Sequence, residues 1–130
     1  MNNMTDSKEE TKAWREMKVK NRFLNAFRGM HIFYKTSRHF SVLVFMTAIV
    51  IILGFYLRVS SFEWIALIFS VGFVIVSEVF NTAIEIDIDL TSPGYHPFAR
   101  DTKDAAAAAV VLSIFTSIII GFIVFLPKIF

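Results

Sequence analysis

The sequence predicts an all-α integral membrane protein with three transmembrane helices per chain and an N-terminal amphipathic surface helix. Three observations carry that prediction. The 130 residues are 55% hydrophobic, with mean hydropathy +0.60, well above an ordinary soluble domain. Phe40–Leu57 and Ala105–Pro127 are uncharged over 18 and 23 residues, enough at about 1.5 Å per residue to approach or exceed the roughly 30 Å of membrane hydrocarbon. Nine of the thirteen basic residues fall within residues 1–39, ahead of every apolar run, which suits a membrane surface. The same basic stretch could serve nucleic acid, but the runs that follow it argue against such a partner. The chain has no cysteine, which excludes disulfides and thiolate metal sites. The first apolar run starts too late for a cleavable signal peptide.

Residues 1–10 are polar and are expected to be flexible. Residues 11–36 space Trp14, Met17, Phe23, Phe27 and Met30 along one helical face and interleave them with Lys and Arg, the pattern of a helix in the membrane interface. Residues 39–130 are expected to form the three-helix membrane domain, with helices at about 39–58, 61–91 and 101–127. Ser60-Ser61-Phe62-Glu63 matches a capping box, which makes Glu63 a cap rather than a catalyst. The uncharged part of the second span, Trp64–Ser77, covers only 14 residues. The helix must therefore continue through the acidic segment to about Leu90, where Thr91-Ser92-Pro93-Gly94 stops it. Tyr95–Lys103 reads as a polar connection in which the residue before Pro97 is held extended. Asp101 and Asp104 read as helix caps, Asp104 equally as a nucleotide contact. The Ala105–Ala109 run permits close helix approach. Placing the N-terminus in the cytoplasm puts eleven of thirteen basic residues inside, as the positive-inside rule requires.

Ser77–Asp89 carries the chemistry. At about 100° per residue, Asn81, Glu85 and Asp89 lie at roughly −60°, −20° and +20° from Glu78, a stripe about 80° wide. Carboxylates are costly at membrane depth, so the stripe marks a functional site. Asp87 falls on the opposite face, where it reads as a solvated interfacial carboxylate. A hairpin through residues 91–104 brings Glu85 and Asp89 toward Lys103 and Asp104. Carboxylates with a lysine at a watery interface suit Mg²⁺ and a nucleotide. The chain contains neither a Walker A loop nor a protein-kinase glycine loop, so a phosphate site would be built from helix faces. On residues alone, a proton relay or cation pathway remains comparable, polar glue between helices is the plain structural reading of the stripe, and Lys103 could simply snorkel. His31 and His39 lie near the interface and read as packing or phosphate-facing groups, with no metal-ligand partner at helical spacing.

Glu78-x-x-Asn81-Thr82-Ala83-Ile84-Glu85-x-x-x-Asp89, followed by His96-Pro97 and Lys103-Asp104-Ala105-Ala106-Ala107-x-Ala109-Val110, resembles the bacterial diacylglycerol kinase/undecaprenol kinase family. The ending Phe125-Leu126-Pro127-Lys128-Ile129 is similar to its Gram-positive, undecaprenol-type branch. The resemblance, running from about Phe23 to the C-terminus, implies a homotrimer in the bacterial plasma membrane. Its active sites would lie between subunits at the cytoplasmic interface, using ATP and Mg²⁺ to phosphorylate a lipid alcohol, either undecaprenol or diacylglycerol. It implies Glu78 as general base and Glu85 as a holder of the cation, with Asn81 lining the same site. Lys103, Asp104 and Asp89 are then expected at the nucleotide, with Arg28 of the surface helix helping to cover it. The chain departs from the family in two places that matter: Asp87, where an apolar or neutral residue is usual, and the turn before the first membrane helix. Where a glutamate of an E-R-N-F pattern would share the metal with Glu85, this sequence has Ser37-Arg38-His39-Phe40. Ser37 is a poorer, uncharged cation ligand, which raises the alternative of a catalytically impaired nucleotide- or lipid-binding homologue.

Overall fold

The computed structural model describes Thr11, Arg15 and residues 22–130. The expectations for residues 1–10, Trp14 and Met17 lie outside the described residues. Among those described, four helices follow in order: α1 (Arg22–Thr36), α2 (Phe40–Tyr56), α3 (Ser61–Thr91) and α4 (Pro97–Ile129). The chain divides between Lys35 and Thr36 into two compact units.

In the first unit, α1 is amphipathic: Lys35 closes its last turn, Phe33 is buried, and Phe23, Phe27 and Met30 are exposed. Exposed aromatics interleaved with basic side chains suit a helix bathed in lipid headgroups.

The second unit holds the other three helices. α3 and α4 are long and apolar enough to cross a membrane. α2 has 17 uncharged residues, about 25 Å at the usual rise and the short end of a spanning helix. α3 and α4 pack as an antiparallel pair along their length, while α2 touches α3 more sparsely. Paired residues run in opposite order along the two long helices. Lys128 Nζ meets Glu63 Oε2 at 3.0 Å, Ser117 Oγ donates to the Ser70 carbonyl at 3.0 Å, and Lys103 pairs with Asp89. Small side chains form the middle of this seam, and Ser113 there is fully buried. Ser113 Oγ donates to the Val110 carbonyl, and the single Ser117 hydroxyl hydrogen is shared between the Ser70 and Ser113 carbonyls, so neither donor is stranded in the apolar interior.

The turn joining α2 to α3 is heavily determined. The Val59 N–H donates to the Gly54 carbonyl at 3.1 Å and the Arg58 N–H to the Phe55 carbonyl at 3.3 Å, the Schellman pattern. Arg58 takes the left-handed position at φ 50°, where glycine is usual. Ser60 and Glu63 then close a reciprocal capping box, with Ser60 N–H to Glu63 Oε2 at 2.6 Å and Glu63 N–H to Ser60 Oγ at 3.3 Å. Val59 packs in one cluster with Trp64, Leu67 and Val124, a hydrophobic staple across the cap.

Two boundaries differ from the sequence reading. α4 starts at Pro97 rather than about 101, with extended His96 (φ −140°, ψ 130°) as its N-cap. Proline at the first helical position gives up an N–H that has no intrahelical partner there anyway. Asp101 and Asp104 therefore sit within the helix and do not cap it. At the other end, α4 runs through Pro127 to Ile129.

Candidate functional site

The stripe on α3 descends from buried to exposed. Glu78, Asn81 and Thr82 are buried, whereas Glu85, Asp87 and Asp89 are exposed. Helix packing explains the gradient. The Glu78 end of the stripe lies within the bundle, and the last turns of α3 run on toward the loop that leads to α4.

Glu78, with its side chain 4% exposed, is the innermost carboxylate. Burying such a group requires hydrogen-bond donors. Two come from the short turn between α1 and α2. His39 Nδ1 lies 2.9 Å from Glu78 Oε1, and Ser37 Oγ donates to the same oxygen at 3.3 Å. Ser37 thus addresses the carboxylate expected to act as base. The contact of His39 with Glu78 is what sequence reasoning missed. The spacing of 39 positions between them is invisible to helical periodicity, and only the approach of α2 to α3 creates the contact.

One turn along, Asn81 Nδ2 donates to Glu85 Oε1 at 3.1 Å. Asn81 Oδ1 is buried and has no partner. A buried amide oxygen without a donor is costly, and an adjacent carboxylate makes the pair a set of hard oxygen donors. The pair fits Mg²⁺, which takes one or two carboxylates together with substrate phosphates and water. Among the described residues no group of three or more His, Asp or Glu could hold a metal ion by itself.

The outer lip is built differently. Lys103 of α4 forms an ion pair with Asp89 of α3, joining two of the expected nucleotide residues. Asp104 instead faces Arg100 of its own helix, one turn back, at 3.6 Å. Asp89, Arg100, Lys103 and Asp104 line a cavity of about 310 Å³ with Ser92, Tyr95 and His96 of the connecting loop. Basic and acidic groups around a polar hollow can take a phosphate and an amine-bearing ring. The site is therefore graded: a buried carboxylate at Glu78, oxygen atoms at Asn81 and Glu85, and a charged lip at Asp89 and Lys103. Arg28 is carried by α1, in the other unit. Asp87 is exposed on α3.

An apolar groove of about 470 Å³ lies between α2, α3 and α4, lined by Leu43, Met46, Val50, Leu67, Val74 and Phe125 among others. Val74, which lines the groove, lies one helical turn from the buried Glu78 on the same helix. Phe69, Phe73 and Phe80 of α3 are exposed and do not line the groove.

The family described as prokaryotic diacylglycerol kinase matches residues 24–125. The undecaprenol kinase of Bacillus subtilis is 39% identical over 106 residues, covering 82% of this chain and 86% of that protein. The diacylglycerol kinase of Synechocystis is 32% identical over 106 residues, covering 81% of this chain and 61% of its own length. That of Escherichia coli K12 is 32% identical over 69 residues, covering 53% and 57%.

Proposed function

The chain belongs to the prokaryotic diacylglycerol kinase family and is a lipid-alcohol phosphotransferase of the membrane; from that premise we propose that it uses ATP to phosphorylate undecaprenol. The observation that carries the reading is the buried Glu78 on α3, one turn from Val74 of an apolar groove between three helices. A long isoprenoid alcohol needs such a pairing: hydrocarbon along its chain and one proton acceptor at its head. The relation to the undecaprenol kinase of Bacillus subtilis, covering most of both chains, favours this acceptor over diacylglycerol.

In the proposed mechanism the hydroxyl lies against Glu78, which takes its proton as the oxygen attacks the γ-phosphorus. Phosphoryl transfer then depends mainly on positioning and charge neutralisation. Lys103 offsets phosphate charge at the lip, and Asp89 holds the lysine at that edge through their ion pair. Asp104 and Arg100 edge the same hollow and would contact the nucleotide. Asn81 and Glu85 would hold Mg²⁺, which when bound draws off negative charge from the triphosphate.

We further propose three membrane spans, α2 to α4, with the N-terminus in the cytoplasm and a homotrimeric assembly. Lys128 and Glu63 meet at the end of the bundle that holds Arg58, while Asp89 and Lys103 meet at the other end. Residues 1–39 hold nine of the thirteen basic residues, and the positive-inside rule then favours a cytoplasmic N-terminus.

The test is phosphate transfer from radiolabelled ATP by the purified chain reconstituted with undecaprenol and, separately, diacylglycerol. Labelled undecaprenyl phosphate as the faster product is expected. Faster labelling of diacylglycerol would reassign the acceptor, and no labelled lipid from either would overturn the kinase reading.

A further inference from the structure

We infer that His39 is the positioning residue for Glu78: its ring holds one carboxylate oxygen and thereby aims the other at the acceptor hydroxyl. The inference rests on the lipid-kinase reading above.

His39 occupies the N-cap position of α2, with φ −95° and ψ 0°. Its carbonyl accepts the Leu43 N–H at 3.0 Å, which ties its backbone to the first turn of the helix. A side chain at an N-cap ordinarily turns back onto the helix's free N–H groups. The His39 ring makes no such bond and reaches across to α3 instead. An ionised carboxylate only accepts, so His39 Nδ1 carries the hydrogen, as the neutral Nδ1–H tautomer or as imidazolium.

Ser37 completes the clamp. Its hydroxyl oxygen accepts the His39 N–H at 3.3 Å and donates to Glu78 Oε1 at 3.3 Å. The terminal torsion of a glutamate is broad and roughly two-fold, so a lone carboxylate samples many orientations. Two donors on Oε1 from one rigid turn narrow that range, and Oε2 takes part in neither bond. A base must lie about 2.6–3.2 Å from the proton it removes, so its orientation matters directly to the rate. The partners also differ in exposure. The His39 side chain is 68% exposed and the Glu78 side chain 4%, so the imidazole forms the outward part of the pair. The turn in which a metal-binding glutamate was expected thus serves the base.

Steady-state kinetics on the full chain in liposomes, with ATP and each lipid, test the assignment. His39→Ala should lower kcat by about 10- to 100-fold through misplacement of the base, while KM for ATP and for lipid stay near wild type. His39→Asn should recover most of the rate, because its amide donor lies close to the imidazole Nδ1 position. In a Glu78→Gln background, His39→Ala should cost nothing further, since residues acting as one unit are not additive. Wild-type kcat in His39→Ala, or an equal further loss in the Glu78→Gln background, would overturn the inference while leaving the kinase reading intact. A wild-type chain silent on both lipids would overturn that reading and this inference with it. Should His39→Ala fail to fold, His39→Asn against His39→Gln decides, because glutamine carries its donor one carbon too far. A faster Asn variant upholds the assignment, and equal rates reject it.

Discussion

Asn81 and Glu85 stand one turn apart on α3, joined by a 3.1 Å hydrogen bond that leaves the buried Asn81 Oδ1 without a donor. The bond fixes the side of the amide that faces Glu85, and hence the direction of the unpaired oxygen. Removing it should loosen both donors. Asn81→Ala is expected to raise the Mg²⁺ concentration for half-maximal activity about 10- to 100-fold, the usual effect of losing a partner that orients a metal ligand. Magnesium titration at saturating ATP measures this, and an unchanged midpoint would contradict it.

Glu78→Gln keeps the size and burial of the side chain but removes its basicity. Turnover should fall by about 10²- to 10⁴-fold, the usual contribution of a general base. Nucleotide binding, followed by fluorescent ATP-analogue titration, should persist. Retained turnover would move the base elsewhere.

Gly54 allows the closest approach in the α2–α3 turn. A Cβ there would lie 2.5 Å from Trp64 Cη2, and the Trp64 ring is itself packed 5.1 Å from that of Phe55. Gly54→Ala should therefore destabilise the fold by about 1–3 kcal/mol through overpacking. Thermal unfolding in detergent reads the change. Combining it with Trp64→Leu should relieve the overlap, so that Gly54→Ala costs less in that background.

Arg58 holds a left-handed conformation, φ 50°, that costs a non-glycine residue about 1–2 kcal/mol. Arg58→Gly should raise the unfolding midpoint modestly, because glycine's greater freedom in the unfolded chain offsets part of the gain. Since the turn lies at the far end of the bundle from Asp89 and Lys103, kcat should not change.

Much of the architecture is legible locally. The charge-free lengths of α2 and α4, the capping box at Ser60 and Glu63, and the stop after Thr91 follow from residues within a turn or two of one another. The stripe of Glu78, Asn81, Glu85 and Asp89 is also local, because helical geometry alone fixes their shared face. Pro97 misled the reading because proline signals either a loop or a first helical turn, and neighbouring residues do not separate the two.

What the sequence by itself determined, then, is the helical order, the membrane habit and the acidic stripe, all set by periodicity and transfer cost along one chain. The tertiary structure decided which groups serve each carboxylate: Ser37 and His39 converge on Glu78, Lys103 pairs with Asp89, and Ser117 crosses to Ser70. Those partners lie 14 to 47 positions apart, and the packing of helices, not the pitch of any one of them, brings them within reach.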